Sequence, residues 1–203
     1  MSVIHSKSTQ LYRQVRRALQ SGRYLPGQRI DPGMLAVEFN TSATPVRSAL
    51  YRLVGEGLID DHARNGLHVP LLTEVGLHDL YDWMERLLLM ACDMGGRPAR
   101  DGITGGDDVV KMTWQLFDAI AEATAHRSLH RAVRQANDRL APVRRAKRGL
   151  IEHAHEELVE LEELWRRRNM PALKAGLRAY HARRKQLVPR IVAMLVDHRD
   201  HLQ

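Results

Sequence analysis

The chain has 203 residues, with 31 Lys and Arg against 24 Asp and Glu, a formal net charge of +7 and 44% hydrophobic residues. No stretch reaches the roughly 18 consecutive apolar residues of a membrane span, no signal peptide is read at the start, and the lone Cys92 excludes an intramolecular disulfide framework. These features point to a cytoplasmic chain of two small domains or one larger core, and the basic balance favours nucleic acid or another anionic partner.

In chain order, Ser8 to Gln20 places Leu11, Val15 and Leu19 at helical spacing behind a Ser8 or Thr9 cap, with Gly22 as the stop. Tyr24 to Ile30 reads as a turn punctuated by Pro26-Gly27. Asp31-Pro32 opens a second short helix, with Met34, Leu35, Val37 and Phe39 as its apolar surface and Asn40 as its end. Thr41 to Leu50 starts a third helix. Thr44 offers a capping oxygen, Pro45 takes the first helical position, and Val46, Ala49, Leu50 and Leu53 bury one face. Arg47, Ser48, Tyr51 and Arg52 are left facing outward. An arginine in the first turn of a helix lying in the major groove can make paired hydrogen bonds to guanine, worth roughly 1–3 kcal/mol of discrimination. Gly57 to Asp61 and Leu67 to Pro70 are strand-like, and Arg64-Asn65-Gly66 fits a hairpin turn between them, forming a wing. Residues 1–70 carry nine Lys and Arg against five acids, a denser positive excess than the remainder.

Beyond residue 71 the pattern is helical. Thr73 caps a helix whose Leu77, Leu80, Tyr81, Met84, Leu87, Leu88 and Ala91 form a broad apolar stripe. Gly95 to Gly106 is the longest loop-like segment, and Asp107 or Asp108 begins the next helix. Ser128 can cap another, which Pro142 should bend or break. Leu150, Ile151, Ala154, Leu158, Leu161, Leu164 and Trp165 define the following one. The last runs from about Pro171 to Leu195 with a kink at Pro189. The basic runs Arg144 to Arg148, Arg166 to Arg168 and Arg183 to Lys185 read as solvated helix faces with Glu152, Glu156 and Glu160 as partners.

Residues 8–70 resemble the winged helix-turn-helix of GntR-type bacterial transcription regulators. The family's Gly-x-x-x-Pro-Gly turn, Leu-Ala pair, Ser-x-Thr-Pro-Val-Arg-x-Ala-Leu helix and x-Gly-Leu-Ile strand are met by Gly22 to Gly27, Leu35-Ala36, Ser42 to Leu50 and Gly57 to Ile59. The resemblance implies that Ser42, Thr44 and Arg47 contact phosphate and bases and that Gly66 at the wing tip approaches the minor groove; Arg52, on the outward face of the same helix, is a further DNA-binding candidate. Ala43 and Ser48 depart from the arginine and glutamate that many relatives carry, so the operator sequence is not transferable.

The helices that follow resemble the FCD-type effector domain of the FadR-like branch, which dimerises and encloses a small-molecule pocket. Many such domains bind a metal through Asp-x-x-x-His on one helix and two later histidines. Here Trp114 and Asp118 stand at the first pair, and Leu158 and Tyr180 near the later ones. A metal is therefore not expected as a cofactor, with Asp118, His155 and His181 as the alternative, remodelled site. Trp83, Trp114, Phe117, Trp165 and Tyr180 could line the inside of the bundle. Trp114, Phe117, Asp118, Tyr180 and His181 are the candidate effector pocket.

The expected fold is mostly α. A winged helix-turn-helix of three helices and a small β-hairpin spans residues 1–71, and an all-α effector and dimerisation bundle spans residues 72–203. The expected function is a homodimeric regulator, a ligand-responsive repressor, binding a double-stranded DNA operator, an unknown small-molecule effector and no membrane. An architectural DNA binder and a metal-responsive regulator are the alternatives. The sequence has no phosphate loop, nucleophile elbow or His-Glu-x-x-His that would indicate an enzyme.

Overall fold

The computed structural model describes residues 7–96, 106, 108–146 and 149–200. Backbone contacts divide the chain into one unit of residues 1–71 with 194–203 and another of residues 72–193.

The first unit holds α1 (Lys7–Gln20), β1 (Arg29–Ile30), α2 (Pro32–Glu38), α3 (Ala43–Gly55), β2 (Asp60–His62) and β3 (Gly66–His68). Helices α1 and α2 both pack on α3, and the apolar spacing read from the sequence becomes one buried cluster centred on Leu11, Val15, Leu35, Val46, Leu50 and Leu53. Asp31 caps α2 by accepting from the backbone N–H of Gly33 at 2.6 Å and Met34 at 3.1 Å, with Pro32 at the first helical position. The Met34 and Gly33 bonds hold the Asp31 carboxyl below the usual carboxylate range. Asn40, at φ 46°, closes the helix, and the N–H groups of Asn40 and Thr41 turn back to the carbonyls of Val37 and Ala36.

Three details of this unit differ from the sequence expectation. Helix α3 starts two residues earlier: Ser42 holds the cap position without a side-chain capping bond, and Thr44 and Pro45 lie inside the first turn. Pro45 still costs no hydrogen bond there, because the first N–H groups of a helix have no partner within it. The segment read as a turn contains β1, which pairs with β3 in the order β1-β3-β2, placing Arg29 opposite His68 and Ile30 opposite Leu67. The wing is thus a three-stranded sheet, and a strand of two residues is too short to show any alternation. Finally, Met34 and Val37 do not enter the core. They are 74% and 83% exposed, while α2 buries Leu35 and Ala36 on its opposite side.

The second unit is helical: α4 (Glu74–Met94), α5 (Val109–Glu122), α6 (Arg127–Ala146), α7 (Ala154–Arg166), α8 (Met170–Gln186) and the start of α9 (Val188–Asp200), whose last residues are grouped with the first unit. Helix α4 packs against α5, α6 and α8, and its predicted stripe from Leu77 to Ala91 is buried throughout. Thr73 caps α4 by accepting from Gly76 N–H at 3.1 Å, and Asp108 caps α5 by accepting from Val110 and Lys111. Asp107 and residues 97–105 of the predicted loop lie outside the described residues. Gly96 closes against the end of α5: a Cβ built on it would sit 1.8 Å from the Ala123 carbonyl oxygen.

Sequence punctuation misplaces several ends here. Helix α6 begins at Arg127, and the His126 ring, rather than Ser128, accepts from the backbone N–H of Leu129 at 3.2 Å. The same helix continues through Pro142. Leu150 and Ile151 precede α7, which starts after His153 in a left-handed conformation. The predicted final helix is two helices, because α8 closes at Leu187 and Pro189 sits in the first turn of α9. Trp165 and Tyr180 are buried as expected, whereas Trp83 is 50% exposed on the outside of α4. Cys92 is buried on α4, and burial pushes its thiol up to about 11.

Candidate functional site

Helix α3 presents Ser42, Thr44, Arg47, Ser48, Tyr51 and Arg52 on its exposed side, while Val46, Ala49, Leu50 and Leu53 anchor the other side in the core. The exposed side is not uniform. Arg52 lies with its guanidinium 3.9 Å from the centre of the Tyr12 ring and its Nε 3.7 Å from Glu56. The Tyr12 hydroxyl donates to Glu56 Oε2 at 2.7 Å and accepts from Arg16 Nη1 at 3.1 Å. Burial, then the Glu56 bond, raises the Tyr12 phenol above its ordinary range. These groups fasten α1 to the C-terminal half of α3, so Arg52 is a packing cation as well as an exposed one. At the other end, Ser8 Oγ donates to Ser48 Oγ at 3.2 Å, giving Ser48 a contact with α1 that the sequence pattern did not suggest. Arg47 projects from the first turns of α3, on the same outer side as Ser42 and Thr44.

The wing tip is Arg64-Asn65-Gly66, with Asn65 N–H donating to the His62 carbonyl at 3.0 Å. Gly66 has φ 81°, and a Cβ there would find no atom closer than 3.8 Å. Its requirement for glycine is therefore conformational rather than steric, since an L side chain in that region costs roughly 1–2 kcal/mol. Replacing Gly66 with Val should distort the wing, weaken DNA binding measured by fluorescence anisotropy several-fold, and leave the oligomeric state seen by light scattering unchanged. Loss of oligomerisation instead would refute the wing assignment.

The second unit has a half-open cavity of about 620 Å³ where α5 begins, α6 ends and α7 starts, lined by Val110, Thr113, Arg144, Ile151, Tyr180 and Arg184 among others. Of the five residues expected to form a pocket, only Tyr180 lines it. Phe117 and His181 are fully buried beside it, with Phe117 edge-on to Tyr180 at 5.4 Å and stacked on His181 at 5.9 Å. Trp114 donates from its indole to Asp138 Oδ1 at 2.7 Å, and Asp118 is held 2.7 Å from His130 Nε2 and 3.5 Å from Arg134. Helical spacing placed these residues on inward faces correctly in part, but the cavity lies at helix ends, which periodicity does not mark.

The residues proposed as a remodelled metal site do not fit one. Asp118 is committed to His130 and Arg134, His155 lines the cavity, and His181 turns Nδ1 to the Leu177 carbonyl at 2.7 Å. Among the described residues no three His, Cys, Asp or Glu side chains gather as ligands. A carbonyl only accepts, so Nδ1 carries the proton, and burial, aided by Arg184, Arg144 and Lys185, pushes the His181 pKa down to about 3.

The basic runs also divide in a way their composition conceals. Arg166 and Arg167 are exposed and paired with Glu163, as a solvated face should be. Arg144 and Arg184 are only 5% and 3% exposed. Arg184 Nη2 donates to Glu157 Oε2 at 2.7 Å and its guanidinium stacks 3.2 Å from the Tyr180 ring centre. Burial opposes that charge, but Tyr180 and Glu157 outweigh it and raise the Arg184 pKa. Arg144 Nη1 donates to Asn137 Oδ1 at 2.6 Å, and burial lowers its pKa although the neighbouring Tyr180 and Tyr81 phenols favour its charge. Asp108 accepts from Arg145 Nη2 at 2.8 Å and caps α5. Burial raises its pKa, but the Arg145 bond and the two backbone donors prevail and hold it low.

Residues 7–69 match the family model of bacterial regulatory proteins of the gntR family. The chain is 33% identical over 72 residues to the HTH-type transcriptional regulator YdhC of Bacillus subtilis strain 168, covering 36% of this chain and 32% of that protein. It is 39% identical over 62 residues to the Nta operon transcriptional regulator of Aminobacter aminovorans, covering 30% of each. The matches thus span about a third of the length of these curated relatives. Over nearly the whole chain the fold is similar to that of a protein from Rhodococcus sp. RHA1 described as a GntR transcriptional regulator, with TM-score 0.74, 16% identity and coverage of 91% of this chain and 98% of that one. E. coli McbR/YncC is similar at TM-score 0.72 and 18% identity, over 92% of this chain and 99% of that one. Residues 7–69, with their capped α2, outward Arg47 and three-stranded wing, are thus similar to the gntR family of bacterial regulatory proteins, and the likeness over the rest of the chain is one of fold.

Proposed function

We propose that this chain is a cytoplasmic, homodimeric transcription regulator, a ligand-responsive repressor of the FadR-like branch with a divergent FCD-type effector domain. Residues 1–71 bind the DNA operator and residues 72–203 dimerise and receive the effector. The single observation that carries DNA reading is Arg47, exposed on the first turns of a helix whose opposite face is locked into the core. In this reading Arg47 reads a base, Ser42 and Thr44 position the backbone, Arg52 adds positive potential while bracing α1, and Gly66 lets the wing approach the minor groove.

Dimerisation is supported by Trp83, Met90 and Met94, exposed large apolar residues spaced seven and four apart on one side of α4. Two half-site contacts held by one dimer combine into a selective interaction that neither makes alone. The half-open cavity of the second unit favours a sensor over a purely architectural DNA binder. No catalytic role is assigned to any residue.

Genomic fragments captured by the purified protein supply the operator for the test. Arg47→Ala should weaken operator binding by about 10- to 100-fold, the equivalent of roughly 1–3 kcal/mol, and weaken binding to unrelated DNA far less. Equal losses on both would remove the base-reading role of Arg47.

A further inference from the structure

We infer that the outer face of the three-stranded wing is a phosphate-binding surface for the DNA backbone, in which Arg29 supplies the standing charge and His62 and His68 add charges that come with protonation. The inference deepens the DNA-binding part of the function proposed above and rests on it.

Cross-strand pairing assembles the face. Arg29 on β1 and Asp60 on β2 both stand opposite His68 on β3, and His62 on β2 stands opposite Gly66. Paired residues share one face of a sheet, so these positions lie together, while Ile30 and Leu67 are buried on the other face in the core of the unit. Arg29 and His62 are exposed and His68 is half-buried. Gly66 leaves a gap in the middle of the face, and the Arg29 guanidinium lies beside it, with Nε 3.8 Å and Nη2 3.9 Å from where a Gly66 Cβ would stand. The two imidazoles meet edge to face, their ring centres 5.4 Å apart.

Charge decides what such a face can hold. Asp31, next to β1, is committed to the backbone N–H groups of Gly33 and Met34 at the start of α2, and Asp61 stands opposite Leu67 on the other face. Arg64 adds a cation at the wing tip. On the face itself Arg29 and Asp60 cancel while both imidazoles are neutral. His68 Nδ1 lies 3.1 Å from the Gly66 carbonyl, which only accepts, so that nitrogen carries the proton of the neutral ring and Nε2 keeps a lone pair. A lone pair repels a phosphate oxygen. Protonation turns Nε2 into a donor and leaves the face net positive, and histidine is the side chain whose charge changes closest to neutral pH. Cations spread over a flat sheet face suit the DNA backbone, where contacts position the protein and carry no sequence information.

The test uses the full chain, the captured operator and an unrelated duplex of equal length, with fluorescence anisotropy followed over a chloride series at a mildly alkaline and a mildly acidic pH. Arg29→Gln should weaken binding of both duplexes by a similar factor, about three- to tenfold, and lower the slope of log affinity against log salt by about one. Arg29→Lys, still a point charge for a phosphate, should keep most of that slope. The parent chain should bind both duplexes at least about threefold more tightly at the lower pH, and His62→Gln combined with His68→Gln should remove most of the gain. An unchanged slope in Arg29→Gln, a loss confined to the operator, or parallel pH profiles of the parent and the double variant would overturn the assignment. So would an Arg29→Lys loss as large as that of Arg29→Gln, which would make Arg29 a structural residue of the wing. Inorganic phosphate in place of chloride at equal ionic strength should weaken the parent chain less than about threefold. A larger loss would show a site for free phosphate and overturn the DNA assignment. The two readings fail separately. A parent chain that binds DNA indistinguishably from Arg29→Gln removes the phosphate surface and leaves the regulator, whereas equal binding of both duplexes with the Arg29 and histidine effects intact removes the sequence reading and leaves the surface. No DNA binding at all removes both.

Discussion

Replacing Gly96 with Ala should lower the stability of the second unit by at least about 3 kcal/mol, a loss measurable in urea or thermal melts. The added Cβ would lie 1.8 Å from Ala123 O and 2.4 Å from Ala123 C, and both atoms are backbone. A flexible side chain could swing aside, but a carbonyl at the end of α5 cannot move without loosening the turn that follows it. That turn is hydrogen-bonded in its own right: Ala123 N–H donates to the Ala119 carbonyl at 3.1 Å and Ala125 N–H to Glu122 at 3.0 Å. The φ of 144° at Gly96 adds a second, independent penalty, because L side chains rarely adopt it. Both terms act in the same direction. A Gly96→Ala protein that melts with the parent would mean that α4 and the end of α5 are farther apart in solution.

Acid should destabilise the chain earlier than its carboxylates alone would require, because of His181. Its folded pKa of about 3 lies below the ordinary histidine value near 6.5. Below pH 6.5 the unfolded chain takes up a proton that the buried imidazole refuses. Stability from this group therefore declines by up to about 1.4 kcal/mol per pH unit, starting near pH 6.5 and ending near pH 3. Between pH 6.5 and 4.5 the loss should approach about 2–3 kcal/mol. His181→Gln keeps a donor for the Leu177 carbonyl and has nothing to titrate, so its melting temperature should fall less steeply over that interval. Parallel curves for the two proteins would show that the imidazole is reached by water or protonated in place.

How much of this was readable beforehand depends on the kind of signal each element leaves. Asp31-Pro32 specifies the start of α2 by local chemistry alone, and the cap bonds to Gly33 and Met34 form as that chemistry requires. Apolar spacing specifies the buried faces of α1, α3 and α4, since burial there is decided by one stripe on one helix. It fails for Met34 and Val37 because a seven-residue helix has too few turns to reveal which side its neighbours cover. The exposed face of α3 was legible in outline, but the clamp of Tyr12, Glu56 and Arg52 joins residues forty or more positions apart and has no local trace. The cavity was the least legible. Arg144 belongs to a basic run that reads as solvated, and only the packing of α6 against its neighbours turns that one side chain inward. Its composition suggests a surface; its surroundings make it an interior cation.

The buried position of Cys92 has a practical consequence. A thiol raised to about 11 is ionised at neutral pH in only about one molecule in ten thousand, and its burial further limits collision with reagents. Since it is the only cysteine in the sequence, a second one placed on the wing, as in Arg64→Cys, would be the single fast-reacting group for a maleimide dye. Native Cys92 need not be removed first. Fluorescence from the wing could then be followed while DNA is added, giving that surface an optical readout in an otherwise unaltered chain.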